Sequence, residues 1–138
     1  MSSIAFAVQK AVDGVLVAAL AGFQAPGMNA PGVPVYDHAP AGAAYPYVRF
    51  GRKILTPENE LAAKGGRVQI SLTVFSDFRG QEQVDEVLAR IEDALDDATL
   101  TLDTGHSVRC DLERSDTTQD ADGVTYMGSA LYAVLVDV

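Results

Sequence analysis

The sequence predicts an α+β domain, a mostly antiparallel sheet of four to five strands with two helices packed on one face. Three observations carry this. Two segments, near residues 4–20 and 80–97, repeat apolar residues at three- and four-residue spacing. Segments 67–76, 107–114 and 124–138 read instead as strands, the first two with clear alternation of apolar and polar residues. Turn signals between the strands favour hairpins over crossovers. At 138 residues the chain reads as a single domain, 1–138. Such a chain can bury roughly two-thirds of its unfolded surface and needs no metal or disulfide to fold.

In the first helix Ile4, Val8, Ala11, Val12, Val15, Ala19 and Leu20 form the apolar stripe. Ser2 or Ser3 can cap it by accepting from a free N–H of the first turn. Gly22 and Pro26 end it. Residues 24–34 hold three Pro and two Gly and read as a loop. Val35–His38 is a short extended run stopped by Ala39-Pro40. Residues 45–55 have strand preference through Tyr47, Val48, Phe50, Ile54 and Leu55, and Pro46 belongs at the start or on an edge because it lacks an N–H. Thr56–Gly66 is polar and ends in Gly-Gly, so it reads as a long loop, a frequent site of contact. Arg67–Ser76 follows as the cleanest alternation, with Val68, Ile70, Leu72 and Val74 on one side.

Residues 80–97 form the second helix, with Val84, Val87, Leu88, Ile91 and Leu95 as its apolar stripe and acids over most of the rest. Asp96 and Asp97 stand where the helix dipole disfavours negative charge, which suggests a role beyond helix stability. Val108, Cys110 and Leu112 alternate with Arg109, Asp111 and Glu113. Asp120–Gly123 is a turn in which Gly123 can take positive φ.

The net charge is −9. It is unevenly spread. Residues 77–138 hold fifteen acids against four bases, and residues 1–76 hold four acids against six bases. Phosphate binding needs a basic surface, so the chain as a whole repels nucleic acid. The asymmetry allows a mildly basic face of one copy to meet an acidic face of another. The longest uninterrupted apolar stretch of the first helix, Val15–Ala21, is far short of the ~20 residues of a membrane span. A signal peptide wants its charge at the start, before the apolar region, and here the start is Met1-Ser2-Ser3. These features point to a cytoplasmic protein with no membrane partner.

Catalytic constellations are absent from the pattern. His38 beside Asp37 could be an oriented base, but adjacent strand residues point to opposite faces. His106 sits in a turn. Cys110 falls on an inward face, where a thiol behaves as a small hydrophobe. Asp116, Asp120 and Asp122 lack the closing Glu of a calcium loop. The expectation is no enzyme, no cofactor and no metal.

One arrangement is more specific. Val35-Tyr36-Asp37-His38-Ala39-Pro40 is followed by Ala43-Ala44-Tyr45-Pro46-Tyr47-Val48 and Phe50-Gly51. Then come Val68–Leu72, Val74-Phe75-Ser76, and Gly80 opening a helix that ends in Ile91–Leu95. Over nearly its whole length the chain resembles the small tail-completion proteins of long-tailed phages, also called tail terminators. Phe75 stands where many relatives carry Trp. The resemblance implies a structural virion protein that forms a ring, usually of six copies, on the head-proximal end of the tail tube. Such a ring ends tube polymerisation and joins the tail to the head neck. Its partners would be itself, the major tail tube protein and a neck connector or stopper protein, with DNA passing through without specific binding. The location would be the tail–neck junction, after assembly in the host cytoplasm. Infectious phages and phage-derived gene transfer agents both use such proteins.

In that setting Arg49, Arg52, Lys53 and Arg67, with Glu58, Glu60 and Lys64 of the polar loop, are candidates for contact with neighbouring subunits or the tube. A channel wall should not hold phosphate, so some of Glu82, Glu86, Asp93, Asp96, Asp97, Asp111 and Glu113 are candidates to face the channel; the alternative is that the acidic helix is the outer, solvated wall of the ring, since either arrangement buries the same Val84–Leu95 stripe. The competing reading is a small ferredoxin-like ligand-binding regulatory domain. It would show a glycine-lined pocket or clustered polar groups, which the sequence does not display.

Overall fold

The computed structural model describes residues 4–58 and 65–136. In chain order the elements are α1 (Ile4–Leu20), β1 (Val35–Tyr36), β2 (Tyr47–Glu58), β3 (Gly65–Ser76), α2 (Glu82–Leu95), β4 (Ala98–Thr101), β5 (Ser107–Gln119) and β6 (Tyr126–Val136). The strands form one sheet in the order β1-β2-β3-β6-β5-β4. The class is α+β as expected, but the sheet has six strands rather than four to five, and it is mixed. β1 pairs parallel to β2, and every other pairing is antiparallel.

The shortest strands are β1, within the run read as extended, and β4, which was not anticipated. β1 is two residues long, and it is held by Val35 opposite Val48 and by the Val48 N–H donating to Pro34 O at 2.9 Å. β4 has four residues, of which only Leu100 is buried. Segments this short cannot show a period. One connection also departs from the hairpin expectation. After β3 the chain runs through α2, β4 and β5 before β6 returns to lie between β3 and β5.

Alternation decides what is covered. Val68, Ile70, Leu72 and Val74 of β3 and Ala130, Tyr132, Val134 and Val136 of β6 are buried in one core with the apolar stripes of both helices. α2 packs closely over Gly128 of β6. A Cβ built there would lie 2.4 Å from Val84 and 2.6 Å from Leu88. In α1 the buried set is Ala7, Val8, Gln9, Val12, Leu16 and Leu20, while Ile4, Ala11, Val15 and Ala19 are half-buried. The predicted stripe is thus covered throughout, and it is wider than predicted by Ala7, Gln9 and Leu16. The capping expectation at Ser2 and Ser3 falls outside the described residues. Arg90 of α2 ties the helices together, donating through Nε to Ala19 O at 3.0 Å.

The segment read as a loop over Thr56–Gly66 is in part strand. Thr56 pairs with Arg67, Pro57 with Gly66 and Glu58 with Gly65, so the β2–β3 hairpin is longer than predicted. β1 pairs with Val48 and Arg49, and among the described residues no strand pairs with the rest of that edge of β2, where Pro57 is tolerated because it has no N–H to offer.

Candidate assembly surface

The far side of the sheet carries the residues one step out of phase with the core. It is built from Arg67, Gln69, Ser71, Thr73 and Phe75 of β3, Met127, Ser129, Leu131, Ala133 and Leu135 of β6, and their partners on β2 and β5. Neither helix packs on it. Bulges in β2 between Phe50 and Lys53, and in β5 between Leu112 and Arg114, reset the alternation on each side. The second bulge carries Glu113 to this open face.

One end of the face is aromatic. Tyr47 lies opposite Phe75 across the β2–β3 ladder, their rings stacked 5.0 Å apart. Tyr45 stacks on Tyr47 at 5.6 Å, and Tyr36 meets Tyr47 edge-on at 5.7 Å. The Arg49 guanidinium sits 5.1 Å over the Phe75 ring. Aromatic and Arg side chains at the surface are the types that anchor protein interfaces. The middle and far end carry charge. Glu113 accepts from Arg67 and, at 2.7 Å, from Gln69. Arg109 bridges Asp97 at 2.5 Å and Asp111 at 3.3 Å. Between them Arg52, Ile54, Ser71, Arg114, Asp116, Ser129 and Leu131 line a groove of about 220 Å³.

The structure therefore brings Arg49, Arg52 and Arg67 together on one face. Lys53 stands apart from them. The β2 bulge turns it to the helix side, where it donates to Gln9 of α1 and lies over Phe6. Glu60, Lys64 and the side chain of Glu58 lie outside the described residues. The acidic candidates divide between the two sides of the domain. Glu82, Glu86 and Asp93 are exposed on the outer side of α2, whereas Asp111 and Glu113 belong to the open sheet face. The two aspartates at the end of α2 have structural work. Asp96 accepts from the Leu112 N–H at 2.9 Å, at the start of the β5 bulge, and Asp97 takes φ 57° and pairs with Arg109.

Arg109 and Arg114 belong to the open face and were not singled out from the sequence. Alternation marked Arg109 as outward but could not say which arginines it joins. Gln83 was also missed. It is buried, accepts from Ser76 Oγ at 2.5 Å and donates to Pro26 O at 2.8 Å, fastening α2 to the loop after α1. A Gln in the first turn of an amphipathic helix gives no sign of such a partner.

The candidate catalytic groups do not converge. His38 is exposed, and the His106 ring Nδ1 lies 2.8 Å from Thr104 Oγ1. Cys110 is buried, and desolvation, then the nearby Asp111 and Asp96, push its thiol up to about 12, so no thiolate forms near neutral pH. Among the described residues no group of three or more His, Cys, Asp or Glu is placed to hold a metal ion. No helix among them is long and apolar enough to cross a membrane.

The domain thus has one sheet face sealed by helices and the other left open, aromatic and rich in arginine. The family model described as "Tail completion protein gp17" matches residues 14–137, and the chain belongs to that family of phage tail structural proteins. A chain from the solved "Virion of native gene transfer agent (GTA) particle" shares its fold, with TM-score 0.78 and 23% identity over 100% of both chains. A second solved structure, 12% identical, covers 98% of this chain and 96% of its own with TM-score 0.64. No curated protein matches.

Proposed function

We propose that the chain caps the head-proximal end of a phage-like tail tube. It ends tube polymerisation there and joins the tail to the neck of the head, without catalysis. The observation that carries this is the family match over residues 14–137. The likeness to a chain of a gene transfer agent virion supports the setting. The working form is a ring, six copies in this reading, at the tail–neck junction after assembly in the host cytoplasm. Its neighbours are the major tail tube protein on one side and a connector or stopper protein on the other.

The open sheet face suits this role. Arg49, Arg52 and Arg67 face a neighbouring protein, with the Tyr47–Phe75 pair as an apolar anchor beside them. Because the acidic candidates lie on two sides of the sheet, one channel wall can gather only a part of them. Asp111 and Glu113 are moreover already paired with Arg109 and Arg67.

The test is deletion of the gene in a particle-producing strain, followed by electron microscopy. Tails of uncontrolled length and heads without tails are the expected outcome. Tails of normal length joined to full heads would defeat the reading.

A further inference from the structure

We propose that the open sheet face is the seat for the helix layer of a second copy of this chain, with carboxylates on the outer side of its α2 entering the groove between Arg52 and Arg114. The inference rests on the ring reading above and adds which two surfaces meet.

Charge is sorted across the sheet. The open face carries Arg49, Arg52, Arg67, Arg109 and Arg114 against Asp111, Glu113 and Asp116. Arg67 and Arg109 are neutralised within the chain. Among the described residues Arg52 and Arg114 form no ion pair. They flank the groove of about 220 Å³, whose lining also holds the apolar Ile54, Ala130 and Leu131 and one carboxylate, Asp116. The two arginines outnumber that carboxylate, so a further carboxylate placed there would still meet net positive charge in partly dry surroundings, where a charge-assisted bond is stronger than on an open surface. On the opposite side of the domain Glu82, Glu86 and Asp93 recur at four- and seven-residue spacing, which sets them along one stripe of α2. All three are exposed and unpaired within the described residues.

The apolar parts match as well. Ile54 and Leu135 are exposed on the sheet face, at 38% and 57%. Val17, 51% exposed, and Ala21 line a shallow apolar groove beside α1, in the same layer as α2. A symmetric sheet-to-sheet dimer would set the arginine face against its own copy, which like charge opposes. A head-to-tail contact sets arginine against carboxylate. Such a contact uses two different faces of each copy, and it satisfies every copy only when a ring closes.

Two reversals test this in the full-length chain. One variant carries Arg52→Glu and Arg114→Glu, and the other carries Glu82→Lys, Glu86→Lys and Asp93→Lys. These are surface positions, so circular dichroism and Tm check that both variants fold. Self-association is followed by native mass spectrometry and sedimentation, alone and on purified tail tubes. Each variant alone should associate at least about ten-fold more weakly than wild type, since every contact becomes like-charged. An equimolar mixture should recover assembly, because the reversed sheet face of one variant matches the reversed helix of the other. Alternating rings with equal numbers of each would be the product.

Wild-type assembly that survives either reversal, or a mixture no better than its components, overturns the pairing of faces and leaves the ring reading intact. A wild-type chain that forms no oligomer, either free or on tubes, defeats the ring reading itself. Intact rings with impaired DNA delivery in the arginine variant would assign the groove to DNA and overturn the proposal.

Discussion

Along β3, Val68, Ile70, Leu72 and Val74 are sealed beneath the helices, whereas Arg67, Gln69, Ser71, Thr73 and Phe75, one residue out of step, have no further layer above them. The two rows share one backbone and differ in what holds them. The sealed row is stabilised by removal of apolar surface from water, roughly 25 cal/mol per Å². The open row is held by cross-strand stacking of Tyr47 on Phe75 and by the bonds of Arg67 and Gln69 to Glu113, each a small term next to core burial. A strand can therefore serve stability with one face and contact with the other. The open face can change its side chains at little cost to folding. A one-residue slip would exchange the two roles, and the bulges in β2 and β5 confine such a shift to the sheet's flanks.

The sharpest test of the contrast is Leu72→Ala on the sealed face. It should destabilise the fold by about 2–5 kcal/mol, read from urea unfolding, because Leu72 is completely buried and its neighbours cannot fill the space. Gly128→Ala should come next, at about 1–3 kcal/mol. The added methyl would strike Val84 and Leu88, which could admit it only by repacking or by a shift of α2 away from the sheet. Wild-type stability in that variant would mean that α2 does not lie as close to β6 as the structure has it.

A smaller effect is expected in the turn between β5 and β6. The Asp122 carboxyl lies below its ordinary value because the Thr125 N–H, the Val124 N–H and the Thr125 hydroxyl all donate to it, each at 2.8 Å. A folded value below the unfolded one means that the ionised turn adds stability above the unfolded value of about 4, and that this is lost as pH falls through the folded value. Asp13 acts in the opposite sense. Burial, then Asp37, raises its value, so its charge weighs against folding at neutral pH and the penalty lifts as pH falls. Melting curves between about pH 3 and pH 6 should show Asp122→Asn with a flatter acid decline than wild type. An unchanged slope would remove Asp122 from the account.

The least effect belongs to the open face. Leu135→Ala should alter stability by less than about 0.5 kcal/mol, since Leu135 is 57% exposed. If it cost as much as Leu72→Ala, the division of the sheet into a sealed and an open side would be wrong.

Much of this was legible in the sequence. Period-two alternation at Arg67–Ser76 and period-3.6 stripes at Val84–Leu95 are local signals, carried by each segment whatever its neighbours do. The Asp120–Gly123 turn was legible for the same reason, and Gly123 takes φ 74°. So was the resemblance carried by residues 35–51 and 68–95, which the family match over 14–137 bears out. The strand order was not legible, nor the parallel pairing of β1, nor the short β4, nor the grouping of arginines from β2, β3 and β5. Arg67 and Glu113 are 46 residues apart, and they meet only because β6 and β5 fold back beside β3 and a bulge turns Glu113 toward it. Alternation establishes that a strand has two faces of different character. Which partners lie beside it, and therefore which charges share the open face, depends on pairing between distant segments, and that only the tertiary structure decides.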